Sequence, residues 1–334
     1  MNDQVLNRAD KQPVAEGNTQ PACRAVIDVG TNSIKLLVAR ASGHCVNPVF
    51  EQSHQTRLGG QGFYQSHRLQ PGPISQSAAA VAQFATRARE LGAGSIRVIA
   101  TSAARDAQNA AELVTAIHEA SGLDLEIISG QQEADWVFRG VTTDPRLSSQ
   151  LLLLVDVGGG SSEFILGRGE QKDFACSFAL GTVRLMEKIA HSDPPQPGEL
   201  AACRAWVKSF LQREVEPALN PLLARERERD GADGKIQLIS TGGTASILGC
   251  MEAKLESFNR ERLEATSITL DRLRWHNEHL WSLPLEARRH VQGLPPNRAD
   301  VILTGTIIYE AILQQFGFGQ LRISTRGLRF AAVL

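Results

Sequence analysis

Two segments of the chain share one order of hydrophobic and polar positions. Leu151 to Val155 is an unbroken apolar run, the mark of a strand covered on both faces. Asp156 follows, then Gly158, Gly159, Gly160, Ser161 and Ser162, then Glu163 and a second apolar run, Phe164 to Leu166. This predicts a β-hairpin whose turn is built of glycines and hydroxyls. Val26 to Ala39, VIDVGTNSIKLLVA, repeats the order: apolar run, Asp28, Gly30, Thr31, Asn32, Ser33, apolar run. Aligned, Asp28 falls on Asp156, Gly30 on Gly158 and Ser33 on Ser161. A unit of this length is too long for a solenoid repeat and predicts two domains of one fold.

The rest of the pattern alternates strands with helices. His44 to Ser53 adds a third strand to the first hairpin, and Thr56 to Gly62 is a glycine-rich loop carrying Arg57. Ala78, Val81, Ala85 and Ala88 recur at helical spacing within Ile74 to Leu91, which Gly92 ends. Strand Ile96 to Ala100 runs into Thr101, Ser102 and Arg105. Asn109 with Glu112 predicts a capping box opening a helix to Gly122, and Leu125 to Ile128 is the next strand. Ser129 with Gln132 opens another helix, whose apolar stripe is Ala134, Val137, Phe138 and Val141. Glu133 therefore lies in its first turn, just beyond a strand end, where active-site groups of α/β sheets collect; an acid there is also what a helix N-terminus favours.

The second half repeats the plan. Strand Phe174 to Phe178 is followed by a helix from Thr182 through Ile189 and a proline-rich loop, His191 to Gly198. Leu200 to Ala224 predicts a long helix limited or kinked by Pro217 and Pro221, then a charged loop to Lys235. Strand Ile236 to Ser240 meets a second glycine–hydroxyl loop, Thr241 to Thr244. Asn297 is expected to cap a helix reaching Gln315, before a last strand, Leu321 to Ser324. The fold class is α/β.

Consecutive glycines let a backbone approach an anion closely and turn its N–H groups toward it. Asp156 and Glu163 bracket such a turn and could hold a hard metal ion or a water. Two of these hairpins facing each other make a cleft for a phosphorylated ligand. At 334 residues the chain can build two cores, and 42% apolar with 21% charged residues is ordinary globular composition. No apolar run approaches membrane-spanning length. Met1 to Pro21 is polar, without the apolar core of a secretory signal, and reads as a disordered tail. The five cysteines are odd in number and widely spaced without a CxxC pair, as for reduced thiols in a cytoplasm.

The net charge of −1 gives no signal for nucleic acid or membrane, yet its distribution is uneven. Arg24 to Arg105 holds nine basic and three acidic residues, and Asp106 to Glu170 three basic and eleven acidic. A basic wall facing carboxylates suits a polyanion bound beside a metal or catalytic acids, and Arg57 is the expected guide for a polymer.

These blocks, with ATSAARDAQNA, IISGQQEADWVFRGV, ALGTVRL, STGGT and NRADVILTG in the same order over residues 24 to 334, resemble the exopolyphosphatase/guanosine pentaphosphate phosphohydrolase family. The resemblance implies two actin-like (ribonuclease H-like) domains with an interdomain cleft, in the short form without a further C-terminal helical domain. The expected division is a tail over 1–22, an N-terminal domain of 23–142 plus 325–334, and a C-terminal domain of 143–324. It further implies Glu133 as general base, and Asp156 and Glu163 as acids that bind Mg²⁺ or another divalent cation and orient the attacking water. Asp28, Gly30, Thr31, Asn32 and Ser33 match the first phosphate loop, Gly158, Gly159, Gly160 and Ser161 its second copy. Arg105 matches a phosphate-contacting arginine, and Gly242, Gly243 and Thr244 a further phosphate loop. The family pattern often has acids near the end, where Ser324 to Phe330 has none.

The implied substrates are inorganic polyphosphate or guanosine pentaphosphate, without nucleic acid or membrane partners, and the implied assembly is a homodimer. A superfamily kinase and a non-enzymatic, actin-like nucleotide sensor are the alternatives. With an unperturbed pKa of about 4.3, Glu133 would be ionised at neutral pH.

Overall fold

The hairpin is built twice, with the same turn. In the computed structural model, which describes residues 22–60, 62–229 and 236–334, β1 (Ala22–Val29) and β2 (Ser33–Ser42) pair antiparallel. The Gly30 N–H donates to the Ser33 carbonyl at 3.1 Å. β3 (Cys45–Gln55) extends the sheet beside β2, while β4 (Ser95–Ala100) runs parallel to β1 and β5 (Leu125–Ile127) parallel to β4. The order is β3-β2-β1-β4-β5.

The second sheet follows the same rule. β6 (Leu151–Val157), β7 (Ser162–Arg168) and β8 (Gln171–Phe178) form the antiparallel set, and the Gly158 N–H donates to the Ser161 carbonyl at 3.0 Å. β9 (Gln237–Thr241) lies parallel to β6, with β10 (Ser267–Thr269) and β11 (Gln320–Ile323) completing the order β10-β11-β9-β6-β7-β8. β1 and β6 are interior strands covered on both faces, which is why each reads as an unbroken apolar run.

One core cluster joins the sheets. Val26, Leu37 and Ile99 of the first pack with Leu152, Leu154, Ile165 and Ile239 of the second. The predicted stripe Ala134, Val137, Phe138 and Val141 of helix Gly130–Val141 fills this layer, with Leu328, Phe330 and Ala332 from the C-terminal helix. Glu133 is thus carried into the joint by apolar burial. Ser129 Oγ accepts the Gln132 N–H at 3.1 Å, as predicted, whereas the Gln132 side chain turns to Glu126 at 3.3 Å.

Other predicted boundaries shift for local reasons. The helix expected from Ile74 begins at Pro71, because prolines sit well in a first turn that needs no N–H partners. Asn109 does not cap its helix: its side chain exchanges hydrogen bonds with the backbone of Leu69, at 2.8 and 3.0 Å. Pro217 and Pro221 do not end theirs. It runs from Pro197 to Arg229 through one π turn, Leu211–Val215, just before Pro217, which has no N–H for the carbonyl four residues back. The charged loop expected from Arg225 is therefore helical to Arg229, with Arg225 and Arg229 on the buried Glu226; its remainder, 230–235, and the tail, 1–21, lie outside the described residues. Asn297 falls in a short 3₁₀ turn, Pro296–Arg298, and the helix begins at Ile302 after Asp300 accepts the Val301 N–H. All five cysteines are free, and among the described residues no helix is long and apolar enough to cross a membrane.

Helix Gly130–Val141 meets the C-terminal segment backbone to backbone. A Cβ on Gly140 would stand 1.9 Å from the Gly327 carbonyl oxygen, and neither backbone can yield. Gly140→Ala is therefore expected to lose about 3 kcal/mol of stability. Urea unfolding checks it, and a variant as stable as the parent contradicts the close approach.

Candidate active site

The two glycine turns nest against each other. A Cβ on Gly159 would lie 2.9 Å from Thr31 Cβ, and one on Gly160 2.1 Å from the Tyr64 hydroxyl, so only bare backbone fits. Beside them opens a cavity of about 530 Å³. Its walls include Asp28 and Gly30 to Ser33 from the first hairpin, Asp156, Gly158 to Ser161 and Glu163 from the second, Glu133, and Gly242 to Thr244. The repeat therefore places nearly all of its predicted residues around one space.

Two predicted residues stand outside that wall. Arg105 lies behind Glu133, donating to Glu133 Oε2 at 2.9 Å and to the Ile128 carbonyl at 3.1 Å. It orients the carboxylate rather than touching the cavity. Arg57 departs further from expectation. Its loop wraps the outside of the first turn, and its side chain donates to Asp300 Oδ2 at 2.6 Å, so the expected polymer guide is a neutralised cation outside the cavity wall.

Gly242, Gly243 and Thr244 are not a loop but the first turn of helix Gly242–Glu252. Gly242, at φ 87°, is required there, since a Cβ would strike Asp156 Oδ1 at 2.1 Å. The positive end of this helix thus abuts Asp156. The Thr244 hydroxyl donates to the Val157 carbonyl at 3.0 Å, tying helix to strand.

Three cations of the cavity wall went unrecognised on sequence. Lys35 is the cross-strand partner of Asp28, as Glu163 is of Asp156. Extending the repeat two residues past Ser33 superposes Lys35 on Glu163, a signal that was available. Arg298 reaches Ser33 Oγ at 2.6 Å, and Arg329 donates to the Leu36 carbonyl at 2.8 Å. Neither has a counterpart in the repeat. In the terminal segment lacking acids, Thr325 donates to Glu264 at 2.6 Å and Arg326 to the Thr143 carbonyl at 2.9 Å, so it is fastened by a helix-end acid and a loop carbonyl.

The carboxylates change the electrostatic expectation. Burial pushes Glu133 up to about 7 against the opposing pull of Arg105, so it is not simply ionised at neutral pH. Burial likewise raises Asp156 to about 6, opposed by Lys35, and raises Asp28, again against Lys35. Glu163 is raised well above the ordinary carboxyl range, by burial and then by Glu133 and Asp156, although Ser177 Oγ donates to it at 2.7 Å. Glu133, Asp156 and Glu163 bear on one another's charge and so titrate together rather than one by one. Burial pushes Lys35 and Arg298 down, the latter to about 10.

Asp28 Oδ1 and Asn32 Nδ2 are buried at the cavity without a hydrogen-bond partner, an acceptor and a donor left for a ligand. Asp156 and Glu163 offer only hard oxygen donors, which fit Mg²⁺. Among the described residues no three His, Cys, Asp or Glu side chains form a complete metal cage. Mg²⁺ habitually completes its shell with water and substrate phosphates, so the donor set remains compatible with it.

Comparison with known proteins converges on one group. The profile of the Ppx/GppA phosphatase family matches residues 37–332. Exopolyphosphatase 2 of Mycobacterium tuberculosis is 30% identical over 90% of this chain and 94% of its own length, and exopolyphosphatase 1 of Mycobacterium bovis 26% identical over 92% and 86%. The solved structure of an exopolyphosphatase-like protein covers 93% of this chain and 96% of its own at 25% identity with a TM-score of 0.82. That of the Aquifex aeolicus PPX-GPPA enzyme covers 93% and 98% at 24% identity and a TM-score of 0.72. The two-domain, actin-like α/β architecture is shared with these structures.

A carboxyl whose folded pKa lies above its unfolded value stabilises the fold at low pH, and that contribution is lost as pH rises through the folded value. For Glu133 the window runs from the ordinary 4.5 to about 7. Without divalent metal, Glu133→Gln is expected to gain melting temperature relative to the parent between about pH 5 and about pH 8. Thermal melts at both pH values check it; a constant difference contradicts the buried charge.

Proposed function

The chain belongs to the Ppx/GppA phosphatase family and is a phosphoanhydride hydrolase of the exopolyphosphatase kind; we propose that it removes terminal phosphate from inorganic polyphosphate by water attack, with Glu133 as the base. The observation that carries this reading is the position of Glu133: buried, at the cavity between two glycine turns, held by Arg105 and poised near neutrality.

A terminal phosphoryl group seated against the turns has the Gly30–Ser33 and Gly158–Ser161 backbones on two sides, and Lys35 and Arg298 to balance its charge. The unpartnered Asn32 Nδ2 is a further donor to it. Phosphoryl transfer passes through a loose transition state, so positioning and charge neutralisation matter more than a strong base. Water oxygen bonds to phosphorus, the anhydride P–O bond breaks, and the shortened polyphosphate leaves with the bond's electrons. Glu133 takes the water proton, which a carboxylate near pKa 7 does better than an ordinary one. Arg105 fixes its Oε2, leaving the other oxygen for water. When bound by Asp156 and Glu163, Mg²⁺ would supply additional positive charge to the phosphoryl oxygens. Nothing among the described residues of the cavity wall favours guanosine pentaphosphate, a phosphate acceptor other than water, or a sensor role over this reading.

Phosphate release from polyphosphate with Mg²⁺ tests it. Glu133→Gln keeps shape and packing but removes the proton acceptor. Turnover is expected to fall about 10²- to 10⁴-fold, roughly 3 to 5.5 kcal/mol of barrier, with KM little changed. Near-normal turnover in a folded variant would show that Glu133 is only an acid at a helix start.

A further inference from the structure

One edge of the cavity is closed by contacts between segments from the two ends of the chain. The loop Pro295–Val301, which leads into helix Ile302–Phe316 of the second half, brings Arg298 to the cavity wall. It is seated on the first phosphate turn by three polar contacts. Arg298 Nη2 donates to Ser33 Oγ at 2.6 Å. Gln55 Nε2 donates to the Asn297 carbonyl at 2.9 Å and to Asn32 Oδ1 at 3.0 Å. Arg57 Nη1 donates to Asp300 Oδ2 at 2.6 Å, while Asp300 Oδ1 accepts the Val301 N–H at 2.9 Å. From behind, the buried Arg288 guanidinium donates to the Ala299 carbonyl at 3.0 Å and the Leu283 carbonyl at 2.7 Å.

Arg57 is held equally firmly on the other side. The N–H groups of Thr56 and Arg57 both donate to the Asn32 carbonyl, at 3.3 and 3.1 Å, and that of Gly59 to the Thr31 carbonyl at 2.8 Å. Arg57 itself adopts φ 51°, a left-handed conformation unfavourable for a residue with a side chain and kept only where its surroundings demand it. Its backbone therefore grips the turn, and its side chain grips the loop that bears Arg298.

We propose that Arg57 and Asp300 form a latch across the cleft, a pair of positioning residues that fastens the Arg298 loop to the Thr31–Ser33 turn so that both walls hold the same phosphates. The role of the pair in turnover rests on the hydrolase reading above. The latch makes a prediction of unusual sign. Asp300 is an anion beside a site for a polyanion. If Arg57 guided the polymer directly, neutralising Asp300 would release Arg57 and tighten binding. If the pair is a latch, the same change loosens the wall and weakens binding although a repelling charge has gone.

Asp300→Asn keeps the oxygen that accepts the Val301 N–H and puts an amide NH2, a donor, where Oδ2 accepted from Arg57, so both the charge and that hydrogen bond are lost. With tripolyphosphate and with long-chain polyphosphate, KM is expected to rise about two- to fivefold, the range for a part-exposed ion pair, with kcat held within about twofold. The exchanged pair Arg57→Asp with Asp300→Arg should recover part of that loss. An unchanged or lowered KM in Asp300→Asn overturns the latch. Hydrogen exchange in the absence of substrate reads the same pair without turnover: the amides of Thr56, Arg57 and Gly59 should exchange faster in Asp300→Asn, and unaltered protection overturns the proposal. Parent protein that hydrolyses no polyphosphate would instead fail the hydrolase reading, and exchange would still decide the latch.

Discussion

Four carboxylates gathered at one cavity and largely buried dominate this molecule. Asp28, Glu133 and Glu163 are each buried to 8% exposure or less, and Asp156 sits among them at the cavity wall. Burial makes each resist ionisation, Asp28 and Asp156 raise Glu133, Glu133 and Asp156 raise Glu163, and Lys35 and Arg105 only partly compensate. Such an arrangement persists because the surroundings over-determine it. The apolar layer between the sheets places the Glu133 helix, the bare turns allow the hairpins to touch, and Gly242 lets a helix end against Asp156. Under the proposed hydrolysis, stability lost to buried acids at neutral pH would be the counterpart of a base matched to that pH.

The duplicated hairpin explains how one fold unit supplies two kinds of chemistry. In both copies the first strand carries an aspartate one residue before its end, and the turn closes on the same glycine-to-serine hydrogen bond. They differ across the ladder, where Lys35 occupies in the first copy the place of Glu163 in the second. One copy therefore presents a cation to the cavity, and the other a carboxylate. Under the proposed hydrolysis, inversion of this single charge within an otherwise common frame would divide substrate binding from water activation.

Much of this was legible in the sequence because burial on both faces writes itself as an apolar run, and β1 and β6 are interior strands. The stripe Ala134, Val137, Phe138 and Val141 placed Glu133 for the same reason. What escaped depends on contacts between distant segments. Asn109 has the composition of a cap, yet Leu69, forty residues away, takes its side chain. Arg57 reads as an exposed cation in a glycine loop until Asp300 is brought to it from the other end of the chain. Arg298 lies within a recognisable block, but only folding delivers it to Ser33. The raised pKa values belong to the assembled cluster, and no single residue announces them.

The central claim is that Glu133, held near neutrality by burial, takes the proton from the attacking water. The pH dependence of kcat for polyphosphate hydrolysis, at saturating substrate and Mg²⁺, tests it most directly. The account predicts that kcat rises about tenfold per pH unit on the acid side and levels off above a midpoint near 7, the behaviour of an essential base. A profile flat across this range, or one whose midpoint lies near the ordinary 4.5 of a glutamate, would contradict it.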